Sequence, residues 1–322
     1  MRAPFTLPLR TTFRGVRHRS GVLLAGPAGW GEFSPFPDYG PEVAATWLAC
    51  AREAAEEGWP APRREVVAVN ATVPAVDPEA AHAIVAASGC ATAKVKVAEV
   101  GQSLDDDLAR CEAVRDALGP QGRLRVDANA AWDVDEAVTA IRALERFDLE
   151  YVEQPVASLA DLARVRARVD VPLAADESVR TAEDPLHVAG LDAADVVVLK
   201  VQPLGGVRRA LAVAEAAAAQ ADLAFVVSSA VETSVGLAAG AALAGALPRL
   251  DHACGLATLA LLDGDVTSTP LAPRDGWLAV PETSPEPDLL RAVAPPPEEA
   301  AALLDRFEAA EAAAGPIGEE DR

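Results

Sequence analysis

Between residues 66 and 255, valine-rich runs alternate with alanine-rich stretches through eight repeats. The runs at 66–73, 92–97, 123–128, 149–154, 172–176, 196–201, 224–229 and 250–255 read as strands. Several intervening stretches, at 104–118, 134–146, 158–169 and 206–219, read as helices. A strand that returns through a helix re-enters its sheet in the same direction, so the alternation predicts a parallel sheet. Eight such units in about 200 residues predict closure into a TIM-type (β/α) barrel, an α/β fold.

The segment before the first unit has a different rhythm. Strands near 5–10 and 21–25 lead into Gly29-Trp30-Gly31-Glu32, a proline-rich loop at 34–41 and a helix near 42–57. This predicts a small α+β capping domain over residues 1–65, with the barrel at 66–284. Beyond it a proline-rich tail precedes a helix near 297–314. Leu303, Leu304 and Phe307 give that helix an apolar side, so the tail at 285–322 should pack back on the body. The last residues, 318–322, are expected to fray.

Hydrophobic residues make up 51% of the chain, which places it among globular proteins. No apolar run is long enough for a membrane span, and the first residues carry no signal-like apolar core, so a cytoplasmic location is expected. Cys50, Cys90, Cys111 and Cys254 are widely spaced and form no Cys-x-x-Cys, which argues against a zinc site or a redox dithiol. A formal charge of −21 argues against nucleic acid and anionic membranes as partners. A small-molecule partner remains, and the oligomeric state stays open.

Polar residues punctuate the strand ends. Only three lysines occur, Lys94, Lys96 and Lys200, against 25 arginines, and all three lie in strand-like apolar runs. An amine can lose its proton near neutral pH, whereas a guanidinium cannot. Asp127, Glu153, Asp176 and Lys200 follow one another at intervals of 26, 23 and 24 residues, one strand–helix unit each. In a parallel barrel, matching ends of successive strands converge on one mouth, where barrel active sites lie. Residues two apart share a strand face, so Lys94 and Lys96 point one way, as do Arg125 and Asp127.

Three converging carboxylates repel one another, by roughly 4 kcal/mol per pair at about 4 Å and an effective dielectric near 20. A bound divalent ion would remove that cost. Ligation by oxygen alone, from Asp127, Glu153 and Asp176, favours Mg²⁺, with Mn²⁺ as the alternative. A lysine base wants a pKa of about 7 to 8 instead of about 10.4. A neighbouring ammonium, Arg125 and a dication would push in that direction. Such a site suits proton removal next to a carboxylate, so a small-molecule carboxylate is the expected substrate.

The segments Ala93-Lys94-Val95-Lys96-Val97, Arg125-Val126-Asp127-Ala128-Asn129, Val152-Glu153-Gln154-Pro155, Ala175-Asp176-Glu177-Ser178 and Leu199-Lys200 resemble the enolase superfamily, specifically its muconate-lactonising subgroup. The likeness covers most of the chain, cap included. Within the subgroup it is most similar to the dehydratase branch that serves menaquinone biosynthesis, on the strength of Arg125 and the segments 228–234 and 255–259. The resemblance implies a Mg²⁺-dependent syn-dehydration through an enolate, with a hydroxycyclohexadiene carboxylate bearing a succinyl arm (SHCHC) as substrate. Lys96 would take the α-proton and return it to the departing hydroxyl. Lys94 would support the charge of Lys96, Lys200 would stabilise the intermediate, and Arg125 would position the Lys96 amine. Asn129 would help hold the metal site, and the backbone around Ser228, Ser229 and Gly255 would offer donors to the succinyl carboxylate. The same ladder of residues would equally serve racemisation of N-acylamino acids or epimerisation of dipeptides.

Overall fold

A computed structural model describes residues 1–13, 15–179, 181 and 184–315. The expected fraying of 318–322 lies outside the described residues. Three antiparallel strands open the chain, β1 (Arg2–Phe13), β2 (Val16–Gly26) and β3 (Gly29–Phe33), in that order in one sheet. Helix α1 (Pro41–Arg52) follows, with proline in its first turn, where a missing N–H costs nothing. Next come β4 (Val66–Ala68), β5 (Ala71–Val73), α2 (Pro78–Ser88), β6 (Thr92–Lys96), α3 (Leu104–Leu118), β7 (Arg123–Asp127) and α4 (Val134–Leu144). Asp77 caps α2, while reciprocal Ser103–Asp106 and Asp133–Glu136 bonds start α3 and α4, satisfying N–H groups a helix leaves open. Then follow β8 (Leu149–Glu153), α5 (Leu159–Arg166), β9 (Leu173–Ala175), α6 (Asp184–Leu191), β10 (Val196–Leu199), α7 (Val201–Leu204), α8 (Val207–Ala218), β11 (Ala224–Val227) and α9 (Ser234–Ala246). The chain ends with β12 (Trp277–Ala279), α10 (Pro287–Ala292) and α11 (Pro297–Ala314).

Strands β5 to β11 form one curled, parallel seven-stranded sheet in sequence order, with helices between them. Val95, Leu124, Val126, Val152, Val197 and Leu199 are buried, as expected for strands covered on both faces. Two of the eight expected strands take another form. The run at 66–73 splits at Val69 and Asn70: β5 joins the parallel sheet, whereas β4 pairs antiparallel with β12. The run at 250–255 is not a strand. Its contribution is two single-residue bridges, Cys254 with Val69 and Gly255 with Ser228. Cys254 donates its N–H to Ala68 O (2.7 Å) and accepts from Asn70 N (3.0 Å), while Gly255 donates to Val227 O (2.8 Å) and accepts from Ser229 N (3.1 Å). These two residues thus bond to both edges of the curled sheet.

Helix α11 lies against α1 and β2, with Phe307 edge-on to Phe33 at 5.2 Å and Glu311 accepting from Arg2 and Arg52. Helix α9 is buried along its whole length, and its alanines and glycines let neighbouring chain approach closely. A Cβ on Gly236 would meet the Glu32 carboxylate at 2.8 Å. Among the described residues, no helix is long and apolar enough to cross a membrane.

Candidate active site

The register places Lys94 beside Arg125, and Lys96 beside Asp127, which pairs in turn with Glu153. All three lysines line one cavity of about 560 Å³, together with Asp127, Asn129 and Asp176. Lys96 donates to Asp127 Oδ2 (2.6 Å) and Asn129 Oδ1 (2.7 Å). Lys94 donates to Glu153 Oε1 (2.7 Å) and lies 3.1 Å from Asp127 Oδ2. Lys200 reaches both oxygens of Asp176 at 2.6 Å. Glu153 does not line the cavity; it sits just beneath, 1% exposed and held by Lys94.

Charge in this cluster is strongly coupled. Burial favours a neutral Lys94, but the Glu153 and Asp127 carboxylates outweigh it and raise the amine well above its ordinary pKa. Burial and the Asp127 charge push Glu153 up to about 8, against the opposing pull of Lys94. Burial also disfavours ionised Asp127, yet Lys96 and Lys94 hold it below the ordinary carboxylate range.

Two further residues fix the orientation of this set. Asn129 has φ +46°, a left-handed conformation that asparagine tolerates better than most residues. Its side-chain oxygen accepts from Lys96, its amide nitrogen donates to Glu177 Oε1 (3.0 Å), and its backbone N–H donates to Asp127 Oδ1 (3.0 Å). Gln154 accepts at Oε1 from the N–H of Asp176 (2.8 Å) and of Ser178 (3.2 Å), which anchors the loop carrying Asp176. Neither Gln154 nor Glu177 received a role from the sequence, although both stand inside the motif segments. Their polarity at a strand end was the available signal.

Arg125 departs from its expected role. Instead of reaching Lys96, its guanidinium is buried beside the cavity, donating to Glu150, to Asn70 Oδ1 (3.3 Å) and to Ala253 O (2.7 Å), with its Cζ 4.6 Å from the Tyr151 ring centroid. Glu150 also bonds His252 at 3.1 Å. The register shift between Leu124 and Arg125 skips one residue of β8 and leaves Glu150 where Arg125 can reach it.

Ser228, Ser229 and Gly255 line the cavity as expected. Their backbone N–H groups are not open to a ligand, however. Those of Ser228, Ser229 and Gly255 bond to Leu199 O, Gly255 O and Val227 O. The bonds that join the sheet edges take the donors assigned to substrate. Hydroxyls remain on this wall, on Ser228, Ser229 and Thr258, with the last two bonded to each other. The lining also includes Phe36, Tyr39 and Trp47 from the N-terminal segment, and Phe36 and Trp47 pack in one apolar cluster with Ala230.

Among the described residues, no three His, Cys, Asp or Glu side chains stand grouped as metal ligands, since the acid oxygens are turned to the amines. The donor set nonetheless suits a hard dication. It contains only oxygens from neighbouring strand ends, and its acids repel enough that burial and Asp127 drive Glu153 up to about 8.

Residues 77–285 match the family model "Enolase C-terminal domain-like", and residues 5–55 match "Enolase N-terminal domain-like". The o-succinylbenzoate synthase of Thermobifida fusca is 66% identical over 276 residues, covering 86% of each chain. That of Mycolicibacterium smegmatis is 52% identical over 302 residues, covering 93% of this chain and 92% of its own. The muconate lactonizing enzyme of Pseudomonas fluorescens, at 23% identity, shares the fold with a TM-score of 0.79 over 91% of this chain and 98% of that one. Matched at both its barrel-forming and its N-terminal segments, with lysines and acids at successive strand ends, the chain belongs to the enolase superfamily.

Proposed function

We propose that this chain acts as an o-succinylbenzoate synthase, a carbon–oxygen lyase that removes water from SHCHC in menaquinone biosynthesis, in the cytoplasm. The observation that carries this reading is 66% identity to an enzyme of that name over 86% of the chain, combined with three lysines in one cavity. The curled sheet is read as a TIM-type barrel over residues 66–284. Residues 1–65, with 285–322, are read as its cap.

Lys96 is the base. Its amine removes the proton α to the substrate carboxylate, and the electron pair of that C–H bond forms a ring double bond. The C–O bond to the hydroxyl breaks, and Lys96 returns its proton to that oxygen on the same face, releasing water. No oxidant or reductant is needed. Asn129 aims the amine through the bond its side-chain oxygen accepts from Lys96. Lys94 would support the charge of Lys96 and of the substrate carboxylate. Lys200 supplies electrostatic stabilisation to the charge that spreads into the ring, including a cation–π contact. Asp127, Glu153 and Asp176 would hold Mg²⁺, or Mn²⁺ in its place. When bound, the ion neutralises charge that develops on the substrate carboxylate. Lining hydroxyls of Ser228 and Thr258 would serve the succinyl arm, since the backbone N–H groups of Ser228, Ser229 and Gly255 are already bonded.

The test is conversion of SHCHC to o-succinylbenzoate by the purified chain, run beside N-succinylamino acid racemisation. Conversion that stops in chelator and returns with Mg²⁺ is expected. Glu153→Gln should lose activity while its circular dichroism stays near wild type. Racemisation without any SHCHC turnover would overturn the assignment.

A further inference from the structure

Arg19 lies on β2, outside the lysine–carboxylate cluster, yet it is 2% exposed and joins two segments that contribute other residues to the cavity lining. Its Nε donates to Val231 O at 3.0 Å, on the segment that follows β11. Its Nη2 donates to Ser34 O (2.6 Å) and lies 3.3 Å from Ser34 Oγ, at the start of the loop bearing Phe36 and Tyr39. Its guanidinium carbon sits 4.2 Å from the Phe36 ring centroid. One planar fork therefore grips a carbonyl in each of these two segments and supports Phe36, which lines the cavity.

The segment gripped at Val231 needs holding. Valine at φ +63° is a left-handed, β-branched residue, a conformation that persists only when its surroundings impose it. Besides the Arg19 bond, Glu232 accepts from Ala230 N (2.8 Å), and Ser229 Oγ accepts from Val231 N (3.3 Å). A second seam runs alongside. Glu32 accepts from Ser34 Oγ (2.7 Å), from the N–H of Thr233 (3.1 Å) and from the N–H of Gly236 (3.1 Å). Glu32 and Glu232 are both buried, and Arg19 is the guanidinium whose charge acts on each of them.

We propose that Arg19 is a positioning residue that locks the Phe36–Tyr39 loop onto the 228–233 segment, and through that link sets how tightly the distal arm of the substrate is held. This rests on the dehydratase reading for the identity of the substrate, but not for the link between the two segments. Arg19 does not touch the lysines, so its loss should weaken binding more than chemistry.

The test compares Arg19→Met and Arg19→Lys with wild type, by SHCHC kinetics and by amide hydrogen exchange. Lysine keeps the charge and cannot hold both carbonyls in one fork, so it still reports if the methionine variant fails to fold. The expected result is a KM raised roughly tenfold or more, with kcat falling by less than KM rises. Exchange should quicken in residues 33–39 and 228–233 together and stay unchanged in 92–96. Unchanged exchange in both segments overturns the proposal, as does a fall in kcat at constant KM. If wild type does not turn over SHCHC, the dehydratase reading fails, and the exchange result alone decides the role of Arg19.

Discussion

Lys96→Ala is expected to lower SHCHC turnover by about a hundred- to ten-thousand-fold, the usual worth of a positioned general base. The substitution removes the amine that bonds Asp127 and Asn129 and that lines the cavity from β6. It leaves Lys94 beside Asp127, so that buried acid retains a cation and the fold should survive. Lys96 is itself partly exposed, so its loss opens no sealed cavity. Steady-state kinetics should therefore show the deficit in kcat, with circular dichroism near wild type. A variant with more than a tenth of wild-type kcat would mean that another group takes the proton.

Arg125→Ala is expected to act on stability, with a loss of about 3–5 kcal/mol, typical when one partner of a buried ion pair is removed. Arg125 is wholly buried, and its charge neighbour Glu150 is only 13% exposed. Burial raises the Glu150 carboxyl, but bonding to His252 and the Arg125 charge reverse this and hold it near 2. Without the guanidinium, Glu150, Asn70 and the Ala253 carbonyl lose a donor inside the sheet. The midpoint of urea unfolding should fall accordingly. A variant within about 1 kcal/mol of wild type would show that this buried ion pair contributes little.

How far the site could be read from the sequence depends on the range of the contacts. Lys94, Lys96, Asp127, Asp176 and Lys200 were legible because strand alternation and a repeat of one strand–helix unit place them without knowledge of any partner. Helix α11 was legible to the residue, since proline and glycine bracket it. The fate of Val69 and Asn70 was not. A valine-rich run looks alike whether it stays in one sheet or changes partner, and only the antiparallel β12, some 200 residues away, divides it. The N–H groups of Ser228, Ser229 and Gly255 were assigned to substrate because their use between sheet edges is a long-range fact. The partners of Arg125 were not legible, since Glu150, Asn70 and the Ala253 carbonyl come from other segments of the chain.

A crystal structure with Mg²⁺ and o-succinylbenzoate bound tests the central claim most directly. The account predicts Lys96 Nζ within about 3–3.5 Å of the ring carbon that bears the carboxylate, Lys200 over the opposite face, and the metal on Asp127, Glu153 and Asp176. A product bound with both amines turned to solvent, or a metal held by other residues, would contradict it.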